Sequence, residues 1–226
     1  MTWWNTRSDV FISQGSDTKR IKLNRYISNK EYIQENLVIT NKGAEELGYT
    51  RHNLSELTKI GQLERLRPGL YQLKGKVIDD FVLISSNSNR IIFSHQTALY
   101  LHDLSDRTPN VFHISVPQGY NASHIKKRYE DLQVHYVKKD LYELGKTEIK
   151  SPQGNLLPAY DIDRTICDII IEREKIDKQI FTEALKRYFK STNKNLRRII
   201  KYSRLFKIED EIRKYMEVLS WLISRA

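Results

Sequence analysis

The chain has 226 residues, of which 39% are hydrophobic and 29% charged, a balance that suits a soluble globular protein of one or two domains. No apolar run is long enough to span a bilayer, the opening MTWWNTRSDVF lacks the apolar core of a signal peptide, and a lone Cys167 excludes an internal disulfide framework and a cysteine-rich zinc site. A reducing cytoplasm is therefore the expected location, and the net charge of +10 points to an anionic partner.

Residues 1–29 mix Trp3, Trp4, Phe11 and Ile12 with polar and basic residues and show no clean period, so they read as an N-terminal extension without an assigned fold. Residues 30–41, with Tyr32, Ile33, Leu37 and Ile39, read as a first helix and its exit. A second short apolar segment, Ala44 to Leu47, ends at Gly48, a residue able to take the positive φ that separates two helices. Thr50 then stands at an N-cap position before another helix, with Leu54, Leu57 and Ile60 on one face and Gly61 closing it. Leu63, Leu66, Leu70, Tyr71 and Leu73 surround Pro68-Gly69 and predict a small hairpin.

Helix, glycine turn, helix and basic hairpin are the elements of a winged helix-turn-helix, in which the second helix enters the major groove of DNA with its N-terminal residues toward base edges. Thr50, Arg51, His52, Asn53, Ser55 and Lys59 are the candidate recognition-helix residues. Arg65, Arg67 and Lys74 belong to the wing, where they would neutralise phosphates or enter a minor groove. The plain alternative is a helical hairpin and ribbon used only for packing.

Beyond residue 76 the pattern changes to a mixed one. Phe81 to Ile84 form a short apolar run, Ile91 to Phe93 follow, and Ser94 reads as an N-cap for a helix over His95 to Leu101. Val111 to Val116 and Val134 to Val137 are strand-like, and Tyr142–Ile149 and Leu156–Tyr160 flank the turn signal Pro152-Gln153-Gly154. From Asp163 the chain turns helical: Ile166, Ile169 and Ile170 have helical spacing, and Phe181–Phe189, about Asn195–Phe206 and Glu209–Leu222 follow as three further helices. Ile212, Tyr215, Met216, Leu219 and Leu222 make the apolar stripe of the last. The predicted fold class is thus α+β: a winged helix-turn-helix domain at 30–76, then a mixed α+β domain at 77–226 ending in a helical block.

Residues 176–207 hold ten basic and two acidic side chains. Around the helix 195–206, Leu196, Ile199, Ile200 and Ser203 fall on one side, and Lys194, Arg197, Arg198, Lys201 and Arg204 on the other. Lys186, Arg187 and Lys190 precede them. This is the candidate second DNA-binding surface, with a solvated basic face as the bland reading.

Enzymatic chemistry finds little support. Glu148-Ile149-Lys150 with Asp161 or Asp163 has the residue types of a metal-dependent nuclease, but alternating charges on an exposed hairpin are ordinary. Ser94-His95 lacks a nucleophile elbow, the six histidines show no metal-ligand spacing supported by cysteines, no phosphate-binding glycine loop is present, and Cys167 among isoleucines reads as a buried small hydrophobe. No catalytic residue, metal or cofactor is expected.

Three stretches together carry a resemblance: ELGYTRHNLSELTKIGQLERLRPGLYQL, FSHQTALYLHDLSDRTPNVFHISVPQGYN, and DIDRTICDIII followed by FTEALKRYF. Over about residues 31–220 the chain resembles the AbiEi antitoxin family of abortive-infection, type IV toxin–antitoxin systems. The resemblance implies a cytoplasmic bacterial antitoxin encoded beside a nucleotidyltransferase-like toxin. Such a protein represses its own promoter by binding repeats in double-stranded DNA and counteracts the toxin without a stable complex; the free protein can be monomeric. It places base or phosphate contacts at Thr50, Arg51, His52, Asn53 and Ser55. Asp163, Arg164, Thr165 and Asp168 are the most distinctive of the remaining matched residues, and a cap and a buried salt bridge account for them equally well. The rival readings are a module holding an acidic protein partner and a metal-dependent nuclease.

Overall fold

A computed structural model describes residues 38–46 and 48–223. The expectations for residues 1–29, for Tyr32, Ile33 and Leu37, and for Leu47 lie outside the described residues, as does the Leu222 side chain. The chain divides at Lys76/Val77 into two units.

In the first unit, β1 (Val38–Thr40), α1 (Asn41–Glu46), α2 (Arg51–Lys59), β2 (Leu63–Arg67) and β3 (Leu70–Leu73) follow in order. Ile39, expected near the end of a helix, is instead in β1, which pairs antiparallel with β3. The sheet order is β1-β3-β2. Gly48 at φ 81° turns the chain between α1 and α2, where any side chain would be strained. Pro68-Gly69 turns it between β2 and β3, with a register shift between Arg65 and Arg67. Leu54 and Leu57 of α2 are buried against Ile39, Ala44, Tyr49, Leu63 and Tyr71, each contributing about 1.5–3 kcal/mol by burial. Ile60 is not part of that face: it is the C-cap and is 62% exposed.

The second unit is built on a five-stranded sheet of order β6-β5-β4-β8-β7. Its strands are β4 (Ile92–Phe93), β5 (Phe112–Pro117), β6 (Leu132–Val137), β7 (Lys146–Lys150) and β8 (Leu156–Tyr160). β4 runs antiparallel to β5 and parallel to β8, and β5 is parallel to β6. The apolar run after Asp79 is a helix, α3 (Asp80–Ser85). Asp79 Oδ1 accepts from the backbone N–H of Phe81 at 3.0 Å, and its Oδ2 accepts from Ser151 Oγ at 2.6 Å and Asn155 Nδ2 at 2.7 Å. One carboxylate thus caps a helix and anchors the β7–β8 turn. The helix α4 (His95–Leu101) follows β4, and α5 (Ser123–Lys126) and α6 (Lys139–Tyr142) are single turns.

Four helices complete the unit: α7 (Ile162–Ile171), α8 (Lys178–Lys190), α9 (Leu196–Phe206) and α10 (Glu209–Ile223). Their apolar faces close one core that includes Ile166, Ile169 and Ile170, Leu185 and Tyr188, Ile199 and Tyr202, and Ile212 and Leu219. Leu196, expected on the apolar side of α9, is 41% exposed, and Tyr202 takes its place inside.

Within this core Arg164 is fully enclosed. Its Nε donates to Asp168 Oδ1 at 2.9 Å and its Nη1 to Leu141 O at 2.8 Å, and the guanidinium lies 4.3 Å from the Tyr160 ring centroid and 4.2 Å from that of Phe206. A cation so far from water survives because every face of its plane is occupied by a carboxylate, carbonyls or an aromatic ring. Burial pushes the Asp168 carboxyl up to about 6, with Arg164 opposing that rise. Cys167, beside it, is buried with its thiol pushed up by desolvation, as suits an inert core residue.

Candidate nucleic-acid interface

The N-terminus of α2 is fixed by a capping box. Thr50, at φ −86° and ψ 164°, accepts from the backbone N–H of Asn53, and Asn53 Oδ1 accepts from the Thr50 N–H at 2.9 Å and its hydroxyl at 2.7 Å. The Thr50 oxygen and the Asn53 carbonyl are therefore spent on the helix end. Arg51, His52 and Ser55 project from the first turns and are exposed. Lys59 donates to Glu56 at 2.8 Å, which holds that carboxyl below its usual range. Both side chains are well exposed, so the pair is weak and readily exchanged.

Between α2 and the hairpin lies a hollow of about 580 Å³. Arg51, Ser55 and Lys59 line it from the helix, Arg65 from β2, and Asn41 and Tyr71 from beneath, with no carboxylate among the lining residues. Arg65 is exposed and stands opposite the buried Tyr71, Arg67 is half-buried past the register shift, and the Lys74 side chain lies against Gly61. Three cations with hydroxyls and no lining anion are a chemistry for phosphate.

The basic stretch of the second unit is only partly a free surface. Arg187 bridges Asp106 and Glu183. Arg198 turns inward to Asp163 and Asp161. Arg204 pairs with Glu209, whose carboxyl is held down at about 2 by Arg204 and Arg213. Lys194 donates to the carbonyl of Ser191 at 2.8 Å. Lys186, Lys190, Arg197 and Lys201 are exposed and form no ion pair among the described residues. Of the eight basic residues expected from periodicity, three are therefore paired, because the fold brings carboxylates onto Arg187, Arg198 and Arg204, while Lys194 is held by a carbonyl and four cations stay exposed without an ion pair among the described residues.

The residues of the nuclease-like pattern are likewise accounted for. Asp161 is the N-cap of α7 and accepts from Tyr202 Oη at 2.9 Å. Asp163 is buried, accepting from Tyr188 Oη at 2.6 Å, the Asn195 N–H at 3.0 Å and Arg198. Glu148 and Lys150 are exposed on β7. The distinctive DRTICD segment is thus a structural knot joining α7, α8 and α9.

A second polar cluster was not legible from spacing. Ser94 occupies the N-cap of α4 but makes no side-chain cap; its hydroxyl accepts from Ser115 Oγ at 2.9 Å and meets His95 Nδ1 at 3.0 Å. His95, His113 and His135 gather beside Glu172. Burial lowers His95 well below its ordinary value and His113 to about 4, so both rings are neutral near pH 7.

A family model described as transcriptional regulator, AbiEi antitoxin, matches residues 30–74. Over that stretch the chain is similar to the AbiEi antitoxin family. The match takes in α1, α2 and the hairpin, hence the whole of the lined hollow, and it stops short of the second unit. No curated protein matches. Among solved structures, the RV2827C protein from Mycobacterium tuberculosis matches with a TM-score of 0.48 at 16% identity, covering 80% of this chain and 70% of that one. Among the described residues no helix is long and apolar enough to cross a membrane.

Proposed function

We propose that this AbiEi-family regulator is a non-enzymatic, cytoplasmic antitoxin that binds double-stranded promoter DNA through a winged helix-turn-helix and represses its own operon. The supporting observation is the carboxylate-free hollow between α2 and the hairpin, where Arg51, Lys59 and Arg65 converge. In this reading Arg51, His52 and Ser55 face base edges, Thr50 and Asn53 set the helix end, and Lys59, Arg65, Arg67 and Lys74 hold the backbone on either side. Lys186, Lys190, Arg197 and Lys201 add phosphate contacts from the second unit. The functional partner is a nucleotidyltransferase-like toxin, counteracted without a stable complex, in defence against phage.

The test is binding of the purified chain to its own promoter and to unrelated duplexes across a salt series. Arg51→Ala is expected to lose about 1–3 kcal/mol of discrimination between the two. Arg197→Ala is expected to weaken both alike and to lower the slope of log K against log salt by about 1. Unchanged binding in both variants would reject the proposal.

A further inference from the structure

The cluster at the start of α4 has a feature that packing alone does not require. His95 Nε2 lies 3.8 Å from Glu172 Oε2, and His135 Nδ1 lies 3.6 Å from Glu172 Oε1. Both gaps exceed a hydrogen bond. Both are near the spacing of about 3.3 Å that two ligand atoms have around one tetrahedral ion with arms of about 2.0–2.1 Å. All three ligand atoms lie within 4.8 Å of one another.

The far nitrogen of each ring is already committed. His95 Nδ1 meets Ser94 Oγ at 3.0 Å, and that serine is held by Ser115; His135 Nε2 meets His113 Nδ1 at 3.0 Å. In the tautomer where Nδ1 of His95 and Nε2 of His135 carry the protons, each ring presents its lone pair toward Glu172. This is how outer partners set the tautomer of metal-bound histidines. His95 holds a φ of 50°, which a non-glycine residue rarely adopts, and the strained backbone keeps its ring over that of His135, 3.6 Å between centroids. The side chains of His95, His135 and Glu172 are 9%, 12% and 20% exposed, so a neutral imidazole pair and a carboxylate share one dry site. Lys175 touches only Oε1 of Glu172, at 3.4 Å, and is itself 76% exposed.

We propose that His95, His135 and Glu172 bind one divalent transition-metal cation, with His113 and Ser94 as positioning residues. Its remaining coordination position opens on a hollow of about 470 Å³ lined by His113, Gln133, Arg107 and Lys175 together with His135 and Glu172 themselves. Three protein ligands and one open position favour a zinc-like ion over calcium or magnesium, which prefer all-oxygen shells. Binding tilts the stacked rings toward the ion and cross-links the start of α4, strand β6 and the end of α7. The site is separate from the hollow of the first unit, and its test does not depend on DNA binding.

The test is titration of the full-length, metal-stripped protein with Zn²⁺ by calorimetry. Co²⁺ absorption serves as a report on the ligand set. One Zn²⁺ per chain is expected, with Co²⁺ bands of nitrogen and oxygen ligation without thiolate charge transfer, and a melting temperature that rises with Zn²⁺ concentration. Glu172→Gln and His135→Asn should each weaken binding at least about 100-fold, and His113→Gln about 10–100-fold. His124→Ala, at an exposed histidine of α5, should bind as the unaltered chain does. Should His135→Asn fail to fold by circular dichroism, Glu172→Gln decides, since it keeps the side-chain shape. No Zn²⁺ uptake at tens of micromolar, retained affinity in Glu172→Gln, or an equal loss in His124→Ala would overturn the assignment.

Discussion

The two units carry their arginines differently. In the first, Arg51 and Arg65 converge on an open hollow whose lining holds no carboxylate. In the second, Arg164, Arg187, Arg198 and Arg204 each meet a carboxylate of the same unit. In the sequence, Arg51 and Arg65 read as a candidate DNA-binding surface, and so do Arg187, Arg198 and Arg204. What separates them is whether the fold delivers an anion to the guanidinium, and that is decided by segments distant in sequence. A basic stripe is therefore a surface for a partner only after its internal pairs are subtracted.

This contrast predicts a graded series. Arg164→Met should be the most damaging: it leaves Asp168 enclosed beside aromatic rings without its counter-charge, at a cost of about 3–5 kcal/mol, measurable by chemical denaturation. Arg198→Ala should cost about 1–3 kcal/mol through the charged hydrogen bond lost at the buried Asp163. It should also leave the salt dependence of DNA binding intact, so a lost salt-slope unit in that variant would contradict the division drawn between paired and unpaired cations.

A smaller effect belongs to His102, whose Nε2 donates to the Tyr160 carbonyl at 2.8 Å and whose ring burial holds below its ordinary 6.5. The unfolded chain then binds the extra proton first, so stability contributed by this residue is full above about pH 6.5 and falls as pH drops. Thermal unfolding between pH 7 and pH 5 should show a shallower decline in His102→Gln. The least effect is expected for Arg204→Ala, whose pair with Glu209 is at the surface: the denaturation midpoint should stay close to that of the unaltered chain.

Much of the fold can be read from the sequence where a local rule suffices. Thr50, Gly48 and Pro68-Gly69 announce a cap and two turns through their own backbone chemistry. The stripes of α8, α9 and α10 repeat for three turns or more, long enough for a period to emerge. Phe81 to Ile84 do not: four adjacent apolar residues have no period, and only the Asp79 cap marks them as a helix. The histidine cluster is less legible still. His95, His113 and His135 sit on three elements, and they meet because β5 lies between β4 and β6, with Ser115 aligned to Ile92 on one side and His135 on the other. That sheet order is a tertiary fact with no counterpart in residue spacing. Likewise, the inward turn of Arg198 depends on Asp161 and Asp163, more than thirty residues away.

The loop before β7 carries its own demand. Gly145 has φ +76°, and a β-carbon built there would stand 2.7 Å from Cβ of Arg164. Saturation mutagenesis should therefore find this loop glycine among the least replaceable positions of the chain, as intolerant as the interior it leans on. Even alanine, the smallest intrusion, would have to lever α7 away from the loop and so loosen the clasp around the enclosed guanidinium.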